Sequence, residues 1–356
     1  MAFRKSLAAL VFALPLVFAS PAKRSLNPAC EFLEPIKADL IENLFDNTCG
    51  DAAHGALRLS FHDAIGISKT LGGGGADGSI IIFNETELLD PGNVGIDDVL
   101  AEISPFFFKH SAAITPGDFI QFAGALSLTL CPGAPQVDFV IGRPQPQVPA
   151  PDFIVPQPVN TTDELLTAFA NAGFSPEEFI ALLASHTAAG ADDFSPPLQG
   201  VPFDSTPSVF DTNVFIDVLL KGTLFPVGAT AIEPGIVGTA INGTIRLLSD
   251  FELARDSRTA CFWQDFALDH QLMIEKFSAA FFKMGLLGQA NNKHLIDCSA
   301  VIPEPPALND KIEFPPQQFL KDIDQSCAKT PFPNLRTAPG PALTVAPIVQ
   351  ADAGDS

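Results

Sequence analysis

The two residues of this chain best placed to do chemistry together are Arg58 and His62. In DAAHGALRLSFHDAIGISKTLGGGGADGS (residues 51–79), a helix over 51–65 sets Asp51, Gly55, Arg58 and His62 on one stripe, at steps of four, three and four residues. A fixed guanidinium and a titratable imidazole one turn apart can act on one small ligand, the first supplying charge and the second moving a proton. The same spacing also describes a solvated His/Arg face, and the stripe alone leaves both readings open. Asp63 points roughly a hundred degrees away. It serves the oxygen-rich loop Gly75-Ala76-Asp77-Gly78-Ser79, which suits a hard cation such as calcium. That loop lacks the Lys-Ser/Thr ending of a phosphate loop and the Asp-x-Asp-x-Asp-Gly order of an EF-hand.

A second imidazole lies far along the chain, in PEEFIALLASHTAAG. Ser175 caps this predicted helix, Pro176 takes its first position, Glu178 its third, and Gly190 is a natural stop. His186 sits near the C-terminal end of an otherwise apolar helix, where a lone histidine is commonly a satisfied core residue. Its surroundings argue for more. Thr187 follows it, and the oxygens of DSTPSVFD (residues 204–211) could build a second calcium site with that threonine.

The elements that must position these groups read as mostly helical. Leu33, Ile36, Leu40 and Leu44 fall at helical spacing, and further helical patterns cover about 95–108 and 116–130, the latter capped by Thr115 with Pro116 behind it. Residues 72–95 read as a Gly- and Asp-rich loop, and 131–160 as a proline-rich connection between two helical halves. The second half opens at Asp163-Glu164 and carries patterns at about 211–221, 246–255 and 264–287. From Ile302 onward proline predicts an extended tail, mobile after Cys327. No internal repeat is evident.

The chain opens MAFRKSLAALVFALPLVFAS, with Arg4 and Lys5, an apolar run and small closing residues. This predicts a signal peptide over 1–20, with Lys23-Arg24 ending a short propeptide over 21–24 and a secreted, extracellular product. Asn84-Glu-Thr, Asn160-Thr-Thr and Asn242-Gly-Thr are compatible with glycosylation on that route. A net charge of −21 and a pI near 4.4 argue against nucleic acid or an anionic membrane as partner. Six cysteines in an exported chain predict three disulfides, with fifteen possible pairings, and no CxxC pair supports a zinc site. There is no tyrosine and one tryptophan, Trp263, against 31 phenylalanines. Drift explains this blandly; a protein handling strong oxidants would also shed readily oxidised side chains.

Taken together, Arg58-x-x-Phe61-His62-Asp63, Gly75-x-Asp77-x-Ser79, LASHT at 183–187, FDSTPSVFD, ARDSRTACFWQ and HLIDCSAVIP resemble the secreted fungal haem peroxidases, the lignin, manganese and versatile peroxidases. The resemblance runs from Cys30 to Cys327. The plant secretory peroxidases are more distant, since they carry Cys where this chain has Ala64. It implies a mostly helical, two-domain fold with haem b between a distal half (25–160) and a proximal half (161–327), followed by the tail at 328–356. It implies His62 as distal acid–base group, Arg58 as stabiliser of the leaving hydroxide, Phe61 over the haem face, Asn93 accepting the His62 Nδ1–H and Glu87 behind Asn93. On the proximal side it implies His186 as iron ligand, Asp250 accepting its Nδ1–H and Phe203 beside the ring. Two calcium ions follow by the same resemblance, one on Asp63, Gly75, Asp77 and Ser79, the other on Thr187, Asp204, Thr206, Val209 and Asp211. The disulfides by analogy are Cys30–Cys298, Cys49–Cys131 and Cys261–Cys327; the further bridge usual near the mature N-terminus is missing. A monomer working on hydrogen peroxide and small reducing donors is expected.

The departures bear on the electron donor. The surface tryptophan that lignin and versatile peroxidases carry five residues before the proximal histidine is Ala181 here, and Trp263 reads as packing. Of three positions that hold manganese carboxylates in the family, this chain offers Asp51, Gly55 and Asp192, so the middle ligand is missing. A phenol-oxidising peroxidase working at the haem edge is therefore preferred, with an atypical manganese enzyme as alternative. A secreted haem-binding protein without turnover is a third reading.

Overall fold

Apolar residues at three- and four-residue spacing fold most of this chain into helices that bury one stripe each. The computed structural model describes residues 25–68, 72–152, 154–191, 198–225, 234–309 and 311–348. The expected leader, the propeptide and Asp192 lie outside them. Among the described residues there are twelve α-helices: α1 (Leu33–Asp39), α2 (Asp51–Ile65), α3 (Ser79–Ile82), α4 (Asn84–Glu87), α5 (Ile96–His110), α6 (Pro116–Leu128), α7 (Thr162–Ala172), α8 (Pro176–Leu182), α9 (Asn213–Leu219), α10 (Leu248–Leu253), α11 (Ala260–Leu268) and α12 (His270–Met284). Three antiparallel ribbons of two-residue strands tie the connections: β1 (Val140–Ile141) with β6 (Ile296–Asp297), β2 (Gly190–Ala191) with β3 (Val201–Pro202), and β4 (Ile236–Val237) with β5 (Arg246–Leu247).

Helix α6 is buried on every side and forms the floor on which α2 lies. Gly124 makes that approach possible, because a Cβ there would come within 2.7 Å of the Ser60 side chain on α2. Helices α8 and α12 pair in the same way in the second half. The disulfides join Cys30 to Cys298, Cys49 to Cys131 and Cys261 to Cys327. The first ties the start of the described chain to the β6 region, across 268 residues.

Several elements differ from the sequence reading. The 264–287 pattern is two helices, because Asp269 leaves helical geometry and accepts a bond from Leu272 N as the cap of α12. The expected loop at 72–95 contains α3 and α4, each four residues and too short to show a periodicity. Helix α8 stops at Leu182, and residues Leu183–Ala188 continue as a tighter 3₁₀ turn, so His186 does not sit on an α-helix. As far as residue 348 the tail does not hang free: Phe314 N donates to the Arg336 carbonyl and its own carbonyl accepts from Ala338 N, and residues 344–348 lie along the body.

Candidate active site

Helix α2 presents Arg58, Phe61 and His62 to a cavity of about 400 Å³. The opposite wall comes from His186 on the 3₁₀ turn, Phe203 just after β3, and Leu247 of β5. Two imidazoles 124 residues apart in the chain thus face one slot whose remaining lining is mainly phenylalanine, leucine and proline.

His62 is buried, and its Nδ1 lies 2.8 Å from Asn93 Oδ1. The Asn93 amide nitrogen donates in turn to the Glu87 backbone carbonyl at 2.9 Å, so its oxygen must be the acceptor for His62. Nδ1 therefore carries the proton and Nε2 keeps its lone pair. Burial pushes the His62 pKa down to about 3, the Arg58 charge adding to that and the Asn93 bond opposing it. The ring is a neutral base over the whole mildly acidic range. Glu87 differs from the expectation in one respect: it reaches Asn93 through its main chain, while its carboxylate accepts from Ala150 N at 2.9 Å. Arg58 donates from Nη2 to the Val94 carbonyl at 2.5 Å, so adjacent residues of one turn position both groups.

Across the slot, His186 Nδ1 lies 2.7 Å from Oδ2 of Asp250, a buried residue on α10. This leaves Nε2 as the available ligand atom and strengthens it as a donor. The Phe203 ring meets the imidazole edge-on at 5.3 Å.

Both oxygen-rich groups adjoin these histidines. Beside His62, Asp63 is fully buried: Oδ2 accepts from Gly78 N at 3.0 Å, while Oδ1 and Ser79 Oγ have no hydrogen-bond partner. Asp77 Oδ1 accepts from Ser79 N, and Gly75 supplies a backbone at φ +94. Burial, then Asp77 and Glu87, raise the Asp63 pKa well above the carboxylate range; Asp77 is raised by burial. Beside His186, Thr187 Oγ1 donates to Asp204 Oδ2 at 2.5 Å and reaches Asp211 Oδ1 at 3.2 Å. Thr206 N donates to Asp204 Oδ1, and the Thr206 carbonyl accepts from Val209 N. Burial and the neighbouring acids lift Asp204 strongly, and burial lifts Asp211 to about 6. Both donor sets are of the hard-oxygen kind that calcium takes.

Asp217 was not singled out from sequence. It is a buried carboxylate on α9 beside this second group, its Oδ1 unpartnered and its pKa raised to about 7 by burial. Its signal was a single acid inside NVFIDVLL, which also reads as a helix's polar face. His54 was also missed. Its Nε2 lies 3.6 Å from Cys49 Sγ, and Cys49, His54 and Cys131 cluster like metal ligands, but both sulfurs are spent in the disulfide. Asp51 opens α2 with Gly55 one turn on, whereas Asp192 falls outside the described residues. Ala181 and Trp263 are both fully buried, and the indole donates to the Phe215 carbonyl at 2.9 Å.

A mainly apolar slot between a neutral base with its guanidinium and a carboxylate-anchored imidazole fits an iron porphyrin held through His186 Nε2. That is the arrangement of a haem peroxidase. The chain matches the peroxidase family over residues 34–269 and the fungal peroxidase extension region over 272–350. It is 49% identical to manganese peroxidase 3 of Phlebia radiata over 330 residues, covering 90% of each chain. It is 44% identical to ligninase H2 of Phanerodontia chrysosporium, over 98% of both, and 43% identical to versatile peroxidase VPS1 of Pleurotus eryngii, over 98% of this chain and 99% of that one. The chain belongs to the peroxidase family, in its fungal branch, and is a hydrogen-peroxide-dependent oxidoreductase.

Proposed function

We propose that this is a secreted peroxidase that oxidises phenolic and other small aromatic donors at the mouth of the cavity, in the breakdown of lignin or plant debris. The observation that carries the reading is the opposition of His62 and His186 across one slot, each with its Nδ1 committed and its Nε2 free. Haem, when bound, supplies the iron that exchanges electrons with peroxide and donor. His62 Nε2 takes a proton from one peroxide oxygen and delivers it to the other as the O–O bond opens. Arg58 stabilises the negative charge that develops on the departing hydroxide. His186 would hold the metal through Nε2, and Asp250 keeps its Nδ1 proton in place. The two oxygen-rich groups hold calcium, one on Asp63, Gly75, Asp77 and Ser79, the other on Thr187, Asp204, Thr206, Val209 and Asp211. Each braces a histidine from the adjoining residue.

The donor follows from what is missing. With Ala at 181 and the sole tryptophan buried, no indole relays electrons from the surface, so donors must reach the cavity. A second reading is supported by Asp51 at the start of α2 and by the relative named a manganese peroxidase: Mn(II) oxidation at an incomplete carboxylate site. A panel of Mn(II), a simple phenol, veratryl alcohol and a bulky dye at acidic pH separates the two. Saturation by the phenol with millimolar or unsaturated Mn(II) kinetics supports the first. Micromolar Mn(II) saturation supports the second. A haem Soret band without peroxide turnover would sink both.

A further inference from the structure

The tail and one glycosylation sequence meet at Asn242. Asn242, in Asn242-Gly243-Thr244, donates from Nδ2 to Thr344 Oγ1 at 3.1 Å, and its main-chain carbonyl accepts from Val345 N at 2.9 Å. The two stretches run as a parallel bridge, and a Cβ on Gly243 would overlap the Val345 backbone. A few residues on, Ile348 N donates to the Gly200 carbonyl at 2.6 Å, and a Cβ on Gly190 would come within 2.9 Å of Ile348 Cδ1. Gly190 belongs to β2, which follows the His186 turn and lines the cavity. The tail thus closes over the outer side of that wall, and the Asn242 amide is where it is latched. Asn84 differs: it is exposed, and its side chain accepts only from the next backbone N–H.

We propose that Asn242 is a modification-controlled latch, at which an N-linked glycan and the docked tail exclude one another. This rests on the secretory reading above. In the transfer, Asn242 Nδ2 forms a bond to C1 of the first sugar of a lipid-diphosphate oligosaccharide. The C1–O bond to the diphosphate breaks, the lipid diphosphate leaves, and Nδ2 gives up one proton. The tail cannot protect the amide beforehand, because Thr344 lies 102 residues downstream and is made later. Once a sugar occupies Nδ2, it fills the space of the Thr344 hydroxyl, and residues 344–348 lose the contacts that hold them to Asn242 and Gly200. The glycan-free chain keeps them. Occupancy at Asn242 then decides whether the β2 wall carries its cover.

The test uses the calcium- and haem-replete protein from a glycosylating eukaryotic host, with peptide mass mapping at each acceptor and hydrogen exchange at Val345 and Ile348. With Asn242 occupied, both amides should exchange at least about tenfold faster than in the same protein made while lipid-linked oligosaccharide synthesis is blocked. Thr244→Val, which removes the acceptor threonine and keeps the Asn242 amide, should restore slow exchange in the glycosylating host, while Asn84→Gln should leave it fast. Equal protection with and without the Asn242 glycan overturns the proposal. So does an unmodified Asn242 in protein whose Asn84 carries a glycan. Three bare acceptors in secreted protein remove the glycosylation premise, and the latch with it.

Discussion

Asn93 fixes His62 from a turn 31 residues away, its side-chain oxygen on the imidazole Nδ1 and its amide nitrogen on the Glu87 carbonyl. The Glu87 bond prevents the amide from presenting its nitrogen to the ring, so the tautomer of His62 is decided outside α2. Replacing Asn93 with Ala should leave haem content unchanged and slow the reaction with peroxide by about 10- to 100-fold, the usual cost of losing such an outer partner. Stopped-flow mixing with peroxide measures it, and a wild-type rate would deny Asn93 the role.

The pH profile of that same reaction should lack a break at the ordinary histidine value. His62 is pushed down to about 3 by burial and then by Arg58, so it is neutral and competent throughout pH 4 to 7. The peroxide rate should be flat over that range and fall only as the pH approaches 3. Arg58→Leu removes the repelling charge and should move the acid limb upward while lowering the rate. A limb near 6.5 in the wild-type protein would contradict the burial argument.

Calcium removal should be more damaging at neutral than at acid pH. Asp204, Asp211 (about 6) and Asp217 (about 7) bind protons more tightly folded than unfolded. Without a cation, stability is highest below the unfolded value near 3.8 and declines as pH rises toward 6 to 7, where the carboxylates charge against one another. A bound cation neutralises that repulsion. Chelator should therefore lower Tm markedly at pH 7 and little at pH 4.5, as scanning calorimetry can report. A larger loss at pH 4.5 would count against the cluster as the origin.

How much of this was legible from sequence follows the kind of contact involved. Arg58, His62 and Asp63 share one helix, so their spacing alone placed them, and the capping of α8 by Ser175 and Glu178 was equally visible. The tightening after Leu182 was not. Ser185 Oγ bonds back to the Leu182 carbonyl at 2.9 Å, in keeping with the 3₁₀ turn, and no periodicity reports such a bond. Glu87 acts on Asn93 through a carbonyl that every residue possesses, so its identity carried no signal for that contact. Asp217 became conspicuous only when α9 folded its one carboxylate inward beside Asp211.

Gly55 offers the sharpest test of donor choice. It lies one turn beyond Asp51 on α2 and lines the cavity, and a Cβ there would meet only the Val99 methyls at 3.4 Å, an ordinary contact. A glutamate is thus accommodated by the backbone and can bring a second carboxylate toward Asp51, adding a hard-oxygen ligand for a divalent ion. Gly55→Glu should lower the KM for Mn(II) by at least about tenfold, equivalent to about 1.4 kcal/mol of binding. Phenol oxidation should stay within about twofold, since Arg58, His62 and His186 are untouched. Steady-state kinetics with both donors measures this, and an unchanged Mn(II) KM in a variant with full phenol activity would show that Asp51 forms no part of a manganese site.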